Sequence, residues 1–294
     1  MNVRPRRSVL YMPGSNARAL EKARELPADA LILDLEDAVA PEAKAQAREA
    51  IVNALKNGGF GEREVTVRIN GLDTHWWVDD LNAIIAAKPD VVLLPKVSEP
   101  RQLQDVAERL VDLGAESHIR IWAMMETPLA MLNVGAIAAA ALDTETRLAG
   151  FVMGTNDLAK ETRAHLVPGR APMLPWLMNC LAAARAYGLS VLDGVYNDLG
   201  NAEGFVAECR QASELGFDGK TLIHPRQIEL CNEAFSPTPE EVETARKMIA
   251  AFDLPENKDK GVIQIDGRMV ERLHADMARQ TVAIADAIGK HKDA

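Results

Sequence analysis

Two carboxylates, Glu126 and Asp157, each follow an apolar run of the sequence. If these runs are adjacent strands of a parallel sheet, both carboxylates emerge at the same sheet edge. Such a pair suits a hard divalent cation such as Mg²⁺, which takes oxygen ligands and keeps positions for water and substrate oxygens. A cation here would chelate a carboxylate and a neighbouring oxygen of a substrate and stabilise an enolate. The alternative interpretation is an ion pair of these carboxylates with Arg68 or Lys96.

Polar residues follow seven of the apolar runs. Taken singly, each fits an ordinary charged surface loop, but together on one rim they indicate an active site. Arg68 would add a fixed positive donor to an oxyanion that forms beside the cation. The polar segments are 34–37, 68–71, 95–96, 126–128, 154–157, 193–194 and 224–225.

Eight short apolar runs alternate with longer amphipathic segments, which is typical of repeated βα units around a parallel sheet. Several amphipathic segments begin with Pro or an Asn, Asp or Ser cap, as helix N-termini prefer. The pattern predicts an α/β fold, a TIM (β/α)8 barrel over residues 1–236. The predicted strands are 7–12, 29–35, 64–69, 90–95, 119–125, 147–153, 189–193 and 217–223. The predicted helices are 16–26, 41–57, 75–87, 100–113, 128–142, 172–187, 201–215 and 225–235.

The pattern changes after residue 236. SPTPEEVETARKMIAAF predicts a capped helix, and IDGRMVERLHADMARQTVAIADAIG follows a polar turn. Residues 237–294 are therefore predicted to be a C-terminal helical arm. Its apolar side chains have no barrel position left to fill, so they pack on the barrel rim or, as we prefer, on a neighbouring subunit. They include Met269, Leu273, Met277, Val282 and Ile284.

Composition excludes several classes of protein. Of the 294 residues, 48% are apolar and 26% are charged, which excludes disordered, collagen-like and coiled-coil chains. The net charge of −10 argues against a nucleic-acid partner but leaves room for a local basic pocket. The N-terminus lacks the apolar run of a signal peptide, and no segment is long enough to span a membrane. Cys180, Cys209 and Cys231 are widely spaced and predict reduced core thiols in a cytoplasmic protein.

Other motifs are weak or absent from the sequence. GFDGKT at 216–221 resembles a phosphate loop, but Glu214 stands where that loop needs its first glycine. The sequence has no dinucleotide-binding glycine motif, no serine nucleophile elbow and no zinc helix. His224 is interpreted as a residue that holds the rim by hydrogen bonds rather than as a base. Trp76 and Trp77 are interpreted as packing residues of the third helix, although they could line an opening.

Seven segments that run in order along nearly the whole chain carry a resemblance. They are RRSVLYMPGSNARALEKA, LILDLEDAVAPEAKAQAR, VTVRINGLDTHWWVDDL, DVVLLPKV, IWAMMETPLAMLN, FVMGTNDLAK and DGRMVERLH. Together they resemble the citrate lyase β-subunit-like branch of the HpcH/HpaI aldolase superfamily, which includes malyl-CoA and citramalyl-CoA lyases. The resemblance implies a TIM barrel with a C-terminal extension, assembled as a homotrimer or hexamer. It also implies that Mg²⁺, with Mn²⁺ as an alternative, assists cleavage or formation of a C–C bond in a β-hydroxyacyl thioester of coenzyme A.

The resemblance carries residue roles onto this sequence. Glu126 and Asp157 look like the metal ligands of the family, and Arg68 looks like its oxyanion-stabilising arginine. Glu36 and Asp37 match acidic residues that bound the metal site. The metal and arginine roles coincide with those inferred from the residues alone.

The remaining assignments concern the coenzyme and the proton. Arg18 and Lys22 fall where the family contacts the coenzyme A phosphates, although two such residues on a first helix are commonly just solvated. Glu271 stands where the family commonly has an aspartate that reaches a neighbouring subunit's site as acid/base. A glutamate can transfer the same proton, but a misplacement of about 1 Å costs on the order of 100-fold in rate. Asn156 replaces an acidic residue, and 143–146 lengthens the turn before the sixth strand.

These assignments predict a Mg²⁺-dependent lyase that splits malyl-CoA or citramalyl-CoA into acetyl-CoA or propionyl-CoA and a 2-oxo acid, glyoxylate or pyruvate. Its partners are then small molecules, with no membrane involved. If water attacked the thioester instead, the same site would be a thioesterase. The further alternatives are a coenzyme A-free aldolase of 2-oxo acids and a carrier-dependent citrate lyase β-type subunit.

Overall fold

A computed structural model describes residues 4–293 of the chain, with side chains described through residue 290. The first three residues of the basic N-terminal segment therefore lie outside the described part. The chain divides into two compact units, one of residues 6–235 and one that contains residues 236–293.

The larger unit is a closed barrel of eight parallel strands, which confirms the predicted TIM barrel. The first strand pairs with both the second and the eighth, and this closes the sheet. The strands are β1 Ser8–Pro13, β2 Ala30–Asp34, β3 Glu64–Arg68, β4 Val91–Leu94, β5 Arg120–Met125, β6 Leu148–Met153, β7 Ser190–Asp193 and β8 Gly219–Leu222.

Helices follow the strands in turn and cover the outside of the barrel. The sequence analysis did not predict α6, because only Thr155, Leu158 and Ala159 of its eight residues are buried and its apolar pattern is short. The helices of this unit are α1 Ala17–Lys22, α2 Lys44–Asn57, α3 Trp76–Ile85, α4 Pro100–Asp112, α5 Pro128–Ala139, α6 Thr155–Thr162, α7 Leu174–Ala186, α8 Ala202–Leu215 and α9 Ile228–Ala234. The lengthened turn before β6 contains a single 3₁₀ turn, Thr144–Thr146.

Successive residues along each strand belong alternately to two apolar cores. One set fills the barrel interior, and the other packs between the strands and the helices. Arg6 lies at the amino-terminal end of the interior, where its guanidinium bonds Glu64 at 2.8 Å and lies 5.3 Å from the Trp122 ring centroid. The interior set is Val9, Ala30, Ile32, Val91, Leu93, Trp122, Met124, Val152 and Leu192. Because both cores are continuous, the strand ends are fixed in place.

The second unit is not wholly helical, so the predicted arm needs a correction. Between α10 (Pro239–Asp253) and α11 (Arg272–Asp293) lies an antiparallel hairpin, β9 Val262–Ile265 and β10 Arg268–Glu271. Its two turn residues, Asp266 and Gly267, have φ values of 50° and 79°. An Asp-Gly pair with both φ values positive favours a tight hairpin turn over a helix.

The hairpin and helices enclose a small apolar core of Phe252, Ile263, Val270 and Ala275. Three of the predicted contact residues, Met269, Leu273 and Met277, are 75%, 52% and 62% exposed in the single chain. Their packing on a neighbouring subunit stays a prediction. In the described part of the chain no helix is both long and apolar enough to cross a bilayer.

The three cysteines are buried and form no disulfide within the described chain, as predicted. The Cys231 thiol donates to the backbone carbonyl of Arg7 at 3.1 Å. Trp77 packs against the core between the strands and the helices. The Lys44 ammonium lies over the Trp76 ring, with Nζ 5.4 Å from the ring centroid. Packing against the core is therefore the role that the structure shows for Trp77.

Candidate active site

Charged side chains meet where successive strands end at the carboxyl edge of the barrel, which is where TIM barrels carry their chemistry. The side chains come from five different strands or from the loops that follow them, so the closed sheet brings together residues far apart in sequence. We call this group the strand-end cluster. Its members are Asp34, Glu36, Arg68, Lys96, Glu126 and Asp157.

Arg68 is the buried cation of the cluster. Its Nε and Nη2 donate to the two oxygens of Asp34, both at 2.7 Å, in a bidentate pair. Its Nη1 lies 2.9 Å from Glu36 Oε2, and its guanidinium carbon lies 4.9 Å from the Tyr11 ring centroid. Burial alone would raise the pKa of Asp34, but the charge and hydrogen bonds of Arg68 outweigh burial and lower it. The arginine is therefore held rigidly with its charge at the centre of the cluster.

Glu36 is 5% exposed. Two lysines donate hydrogen bonds to it, one to its side chain and one to its backbone carbonyl. Its Oε1 accepts from Lys96 Nζ at 2.8 Å, and its backbone carbonyl accepts from Lys44 Nζ at 2.7 Å. Lys44 Nζ also donates to the carbonyl of Leu35 at 2.7 Å, which fixes the loop after β2. Burial raises the pKa of Glu36 although Arg68 and Lys96 oppose the shift.

Glu126 follows β5 and is only 1% exposed. Its Oε1 accepts from the backbone N–H of Lys96 at 2.7 Å. A Cβ at residue 154 would overlap the carboxylate, so the glycine there lets the end of β6 approach Glu126. Burial, followed by the charges of Glu36 and Asp157, raises the pKa of Glu126 from 4.5 to about 8, although Arg68 and the backbone N–H of Lys96 oppose the shift.

Asp157 lies in the first turn of α6 and is half-buried. Glu126 and Asp157 are thus the part of the cluster that could hold a divalent cation. The cluster has four carboxylates against two side-chain cations, so its charge balance also favours a bound cation. In the described chain no three His, Cys, Asp or Glu side chains converge as a ready-made metal site. A cation held by two carboxylates would keep positions for water and substrate oxygens, as Mg²⁺ does.

Four other predicted residues lie apart from these contacts. Asp37 is exposed beside Glu36, and its charge raises the pKa of that carboxyl. Arg18 and Lys22 are exposed on α1, which follows β1. Glu271 ends β10 in the second unit, where its side chain is exposed and its backbone N–H donates to His274 Nδ1 at 2.9 Å.

Two further sets of hydrogen bonds lie at the rim of the barrel. His224 Nδ1 accepts from the backbone N–H of Arg226 at 3.1 Å, so the histidine caps a 3₁₀ turn and holds the rim, as predicted. Asn156 and Asn197 exchange two amide hydrogen bonds, at 3.2 and 2.7 Å. These bonds join the loop after β7 to the helix turn that carries Asp157.

The roles of Asp34, Lys44 and Lys96 do not follow from the sequence pattern. Asp34 stands in the DLED segment after β2, but its pairing with Arg68 depends on the register of β2 and β3. Lys96 was considered only as an alternative ion-pair partner for the carboxylates. Its left-handed backbone, with φ of 54°, has no signal in the sequence.

A family model described as HpcH/HpaI aldolase/citrate lyase matches residues 7–225, which include every strand of the barrel. The chain belongs to this HpcH/HpaI aldolase/citrate lyase family. The residues of the strand-end cluster all lie within the matched range.

Curated members of the family resemble this chain over almost its whole length. The (3S)-malyl-CoA thioesterase of Cereibacter sphaeroides is 51% identical over 284 residues, which cover 97% of this chain and 96% of that protein. The citrate lyase subunit beta of Escherichia coli is 35% identical over 291 residues, covering 97% and 95% of the two chains. The family resemblance therefore extends through the second unit.

Solved structures of the HpcH/HpaI family share this fold. CitE of Mycobacterium tuberculosis, solved with magnesium, acetoacetate and coenzyme A, has a TM-score of 0.75 and 29% identity, and the match covers 96% of this chain and 98% of that chain. A citrate lyase of Burkholderia xenovorans has a TM-score of 0.82 at 22% identity, covering 98% and 93%, and this likeness supports the fold alone.

Proposed function

We propose that this protein is a Mg²⁺-dependent enzyme that acts on malyl-CoA or a closely similar β-hydroxyacyl-CoA, with hydrolysis of the thioester as its reaction. The observation that carries the proposal is that buried Glu126 lies within reach of the charge of Asp157 and of the fixed guanidinium of Arg68. The likeness to the malyl-CoA thioesterase of Cereibacter sphaeroides supports the substrate and the reaction. CitE, which was solved with magnesium and coenzyme A, supports the metal and the coenzyme.

Glu126 and Asp157 would hold the Mg²⁺, and Mn²⁺ is the alternative ion. When bound, the ion would supply Lewis-acid polarisation of substrate oxygens. The donor set fits, because Glu126 is a buried carboxylate whose raised pKa reflects burial and a neighbouring negative charge. A divalent cation would offset both effects and would favour the ionised form of Glu126.

Arg68 would stabilise the negative charge that develops on the thioester oxygen. Its bidentate bond to Asp34 prevents the guanidinium from rotating away, and the low exposure of both residues keeps water from screening its charge. In hydrolysis, water adds to the thioester carbonyl, the C–S bond breaks, and the thiol of coenzyme A leaves with a proton. The products from malyl-CoA are malate and free coenzyme A.

Carbon–carbon cleavage is the second candidate. It also places negative charge on the thioester oxygen, as an enolate, so the same arginine serves either reaction. The likeness to citrate lyase subunit beta favours it, and the predicted lyase therefore remains a candidate beside the thioesterase. The choice depends on whether a base removes a proton from the substrate hydroxyl or from a water.

Three assignments from the sequence stay part of the proposal. Arg18 and Lys22 would contact the coenzyme A phosphates, since both are exposed on the helix that follows β1. Glu271 would act as acid/base in the site of a neighbouring subunit, within a homotrimer or hexamer. Asp37, exposed beside Glu36, would bound the metal site.

The test is an assay of the purified protein with Mg²⁺ and separate stereoisomers of malyl-CoA and citramalyl-CoA, following free thiol and 2-oxo acid together. Free thiol without 2-oxo acid would establish the thioesterase. A 2-oxo acid without free thiol would establish the lyase and overturn the hydrolysis. No product on either channel would contradict both and favour the carrier-dependent subunit or the coenzyme A-free aldolase.

A further inference from the structure

Lys96 bonds two buried carboxylates of the strand-end cluster at once. It follows β4, and its backbone is in the left-handed region with φ of 54°, a strained conformation for a residue with a side chain. Its backbone N–H donates to Glu126 Oε1 at 2.7 Å, and its ammonium donates to Glu36 Oε1 at 2.8 Å. The two carboxylates come from the loops after β5 and β2, so one residue joins opposite sides of the cluster.

The contacts of Glu126 define which of its oxygens faces the neighbouring strand. Oε1 bonds the backbone of Lys96, while Oε2 lies against Gly154, at the end of β6. Three residues after that glycine comes Asp157, in the first turn of α6. The bond from Lys96 therefore turns the other Glu126 oxygen toward the helix that carries Asp157.

Glu36 has a corresponding arrangement. Its Oε1 is bonded by Lys96, while its buried Oε2 lies 2.9 Å from Arg68 Nη1 without the geometry of a hydrogen bond to any described residue. The negative charges of Glu36 and Glu126 repel each other. For the same reason, each charge strengthens the attraction between the other carboxylate and a cation. The Lys96 side chain is 40% exposed, so its ammonium reaches Glu36 from the open side.

We propose that Lys96 is a positioning residue, which holds Glu36 and Glu126 together so that Glu126 offers Oε2 to a divalent cation shared with Asp157. The inference rests on the proposed function and adds to it a residue that contacts the metal ligand rather than the metal. Partners of this kind orient metal ligands, and their loss weakens metal binding by roughly 10- to 100-fold.

If Lys96 acted only through its charge, its removal would change the Mg²⁺ affinity in the opposite direction. An ammonium near a Mg²⁺ site repels the ion, so its removal would strengthen Mg²⁺ binding if charge were its only contribution. If Lys96 positions the carboxylates, its removal weakens Mg²⁺ binding. The direction of the change therefore separates the two roles.

The experiment is a calorimetric titration of the metal-free full-length protein with Mg²⁺, repeated with Mn²⁺ followed by electron paramagnetic resonance. The variants are K96M, which removes the ammonium and its bond to Glu36 while the backbone N–H bond to Glu126 stays, and K96R, which keeps a cation able to bond Glu36. The variants therefore test whether the link from this backbone-anchored residue to Glu36 is needed to hold the two carboxylates together. The matched control is K88M, because Lys88 has a similar left-handed backbone, with φ of 56°, and is paired with Glu116 on the surface. Thermal unfolding shows that each variant is folded, and K96Q replaces K96M if the latter does not fold.

We expect K96M to weaken binding of both ions at least tenfold, K96R to restore it to within about threefold of wild type, and K88M to leave it unchanged. Equal or tighter binding in folded K96M, with wild type binding normally, would overturn the role of Lys96 and leave the proposed function standing. Absence of Mg²⁺ and Mn²⁺ binding in wild type would overturn both.

Discussion

The metal-free protein should lose stability as the pH rises, because Glu126 carries its proton in the folded state and not in the unfolded chain. Its pKa is raised from 4.5 to about 8, chiefly by burial and then by the charge of Glu36. The folded state therefore binds the proton more tightly than the unfolded chain. The stabilisation is complete below pH 4.5 and is lost as the pH rises toward 8.

The size of this effect follows from the two pKa values. Between them the free energy of unfolding falls by about 1.4 kcal/mol per pH unit, so the full loss is about 5 kcal/mol. Between pH 5.5 and 8 the loss is about 3 kcal/mol. Urea unfolding in the presence of a chelator measures it directly.

Two controls isolate the contribution of Glu126. The variant E126Q cannot ionise, so its stability should lack this fall, whereas E145Q, at an exposed surface glutamate, should retain it. Saturating Mg²⁺ should also remove the fall, because the ion takes the place of the proton. A wild-type stability that falls no more steeply than that of E126Q would refute the reasoning.

Three other substitutions test separate parts of the structure. R68K loses the bidentate carboxylate pair, so we expect kcat/KM to fall by at least 100-fold in a folded protein, and activity near wild type would contradict the role of Arg68. G154A places a methyl group on the Glu126 carboxylate, and calorimetry should show weakened Mg²⁺ binding, whereas unchanged affinity would contradict that contact. K220M removes a fully buried ammonium that bonds a buried aspartate at 2.7 Å, so urea unfolding should show a loss of about 3 to 5 kcal/mol. The matched surface variant K247M should leave the stability nearly unchanged, and an equally small effect of K220M would contradict the buried network.

The barrel could be predicted because a strand buried on both faces needs a nearly continuous run of apolar residues. The runs that contain Val91 to Leu94 and Leu148 to Met153 show this pattern clearly. Helix α6 lacked such a signal, since it is short and polar. The hairpin of the second unit does have a sequence signal, the Asp266-Gly267 pair that favours a tight turn, but the helical patterns on both sides obscure that signal.

The candidate site was predictable at the level of strand ends. Glu126, Asp157 and Arg68 follow or end apolar runs, so their approximate convergence follows from the barrel alone. The contacts among them do not, because they depend on strand register and on a strained backbone. The bond of Asp34 to Arg68 requires that β2 and β3 pair in one register, and the two bonds of Lys96 require its left-handed conformation.

The most direct test of the account is the Mg²⁺ dependence of malyl-CoA hydrolysis in wild type and in D157N. Metal-free protein is mixed with malyl-CoA, thiol release is followed, and Mg²⁺ is then added in steps. We expect no release before the addition, saturable release after it in wild type, and at least a 100-fold lower rate in folded D157N. Thiol release that continues in excess chelator, or that D157N retains in full, would contradict a Mg²⁺ site at Glu126 and Asp157.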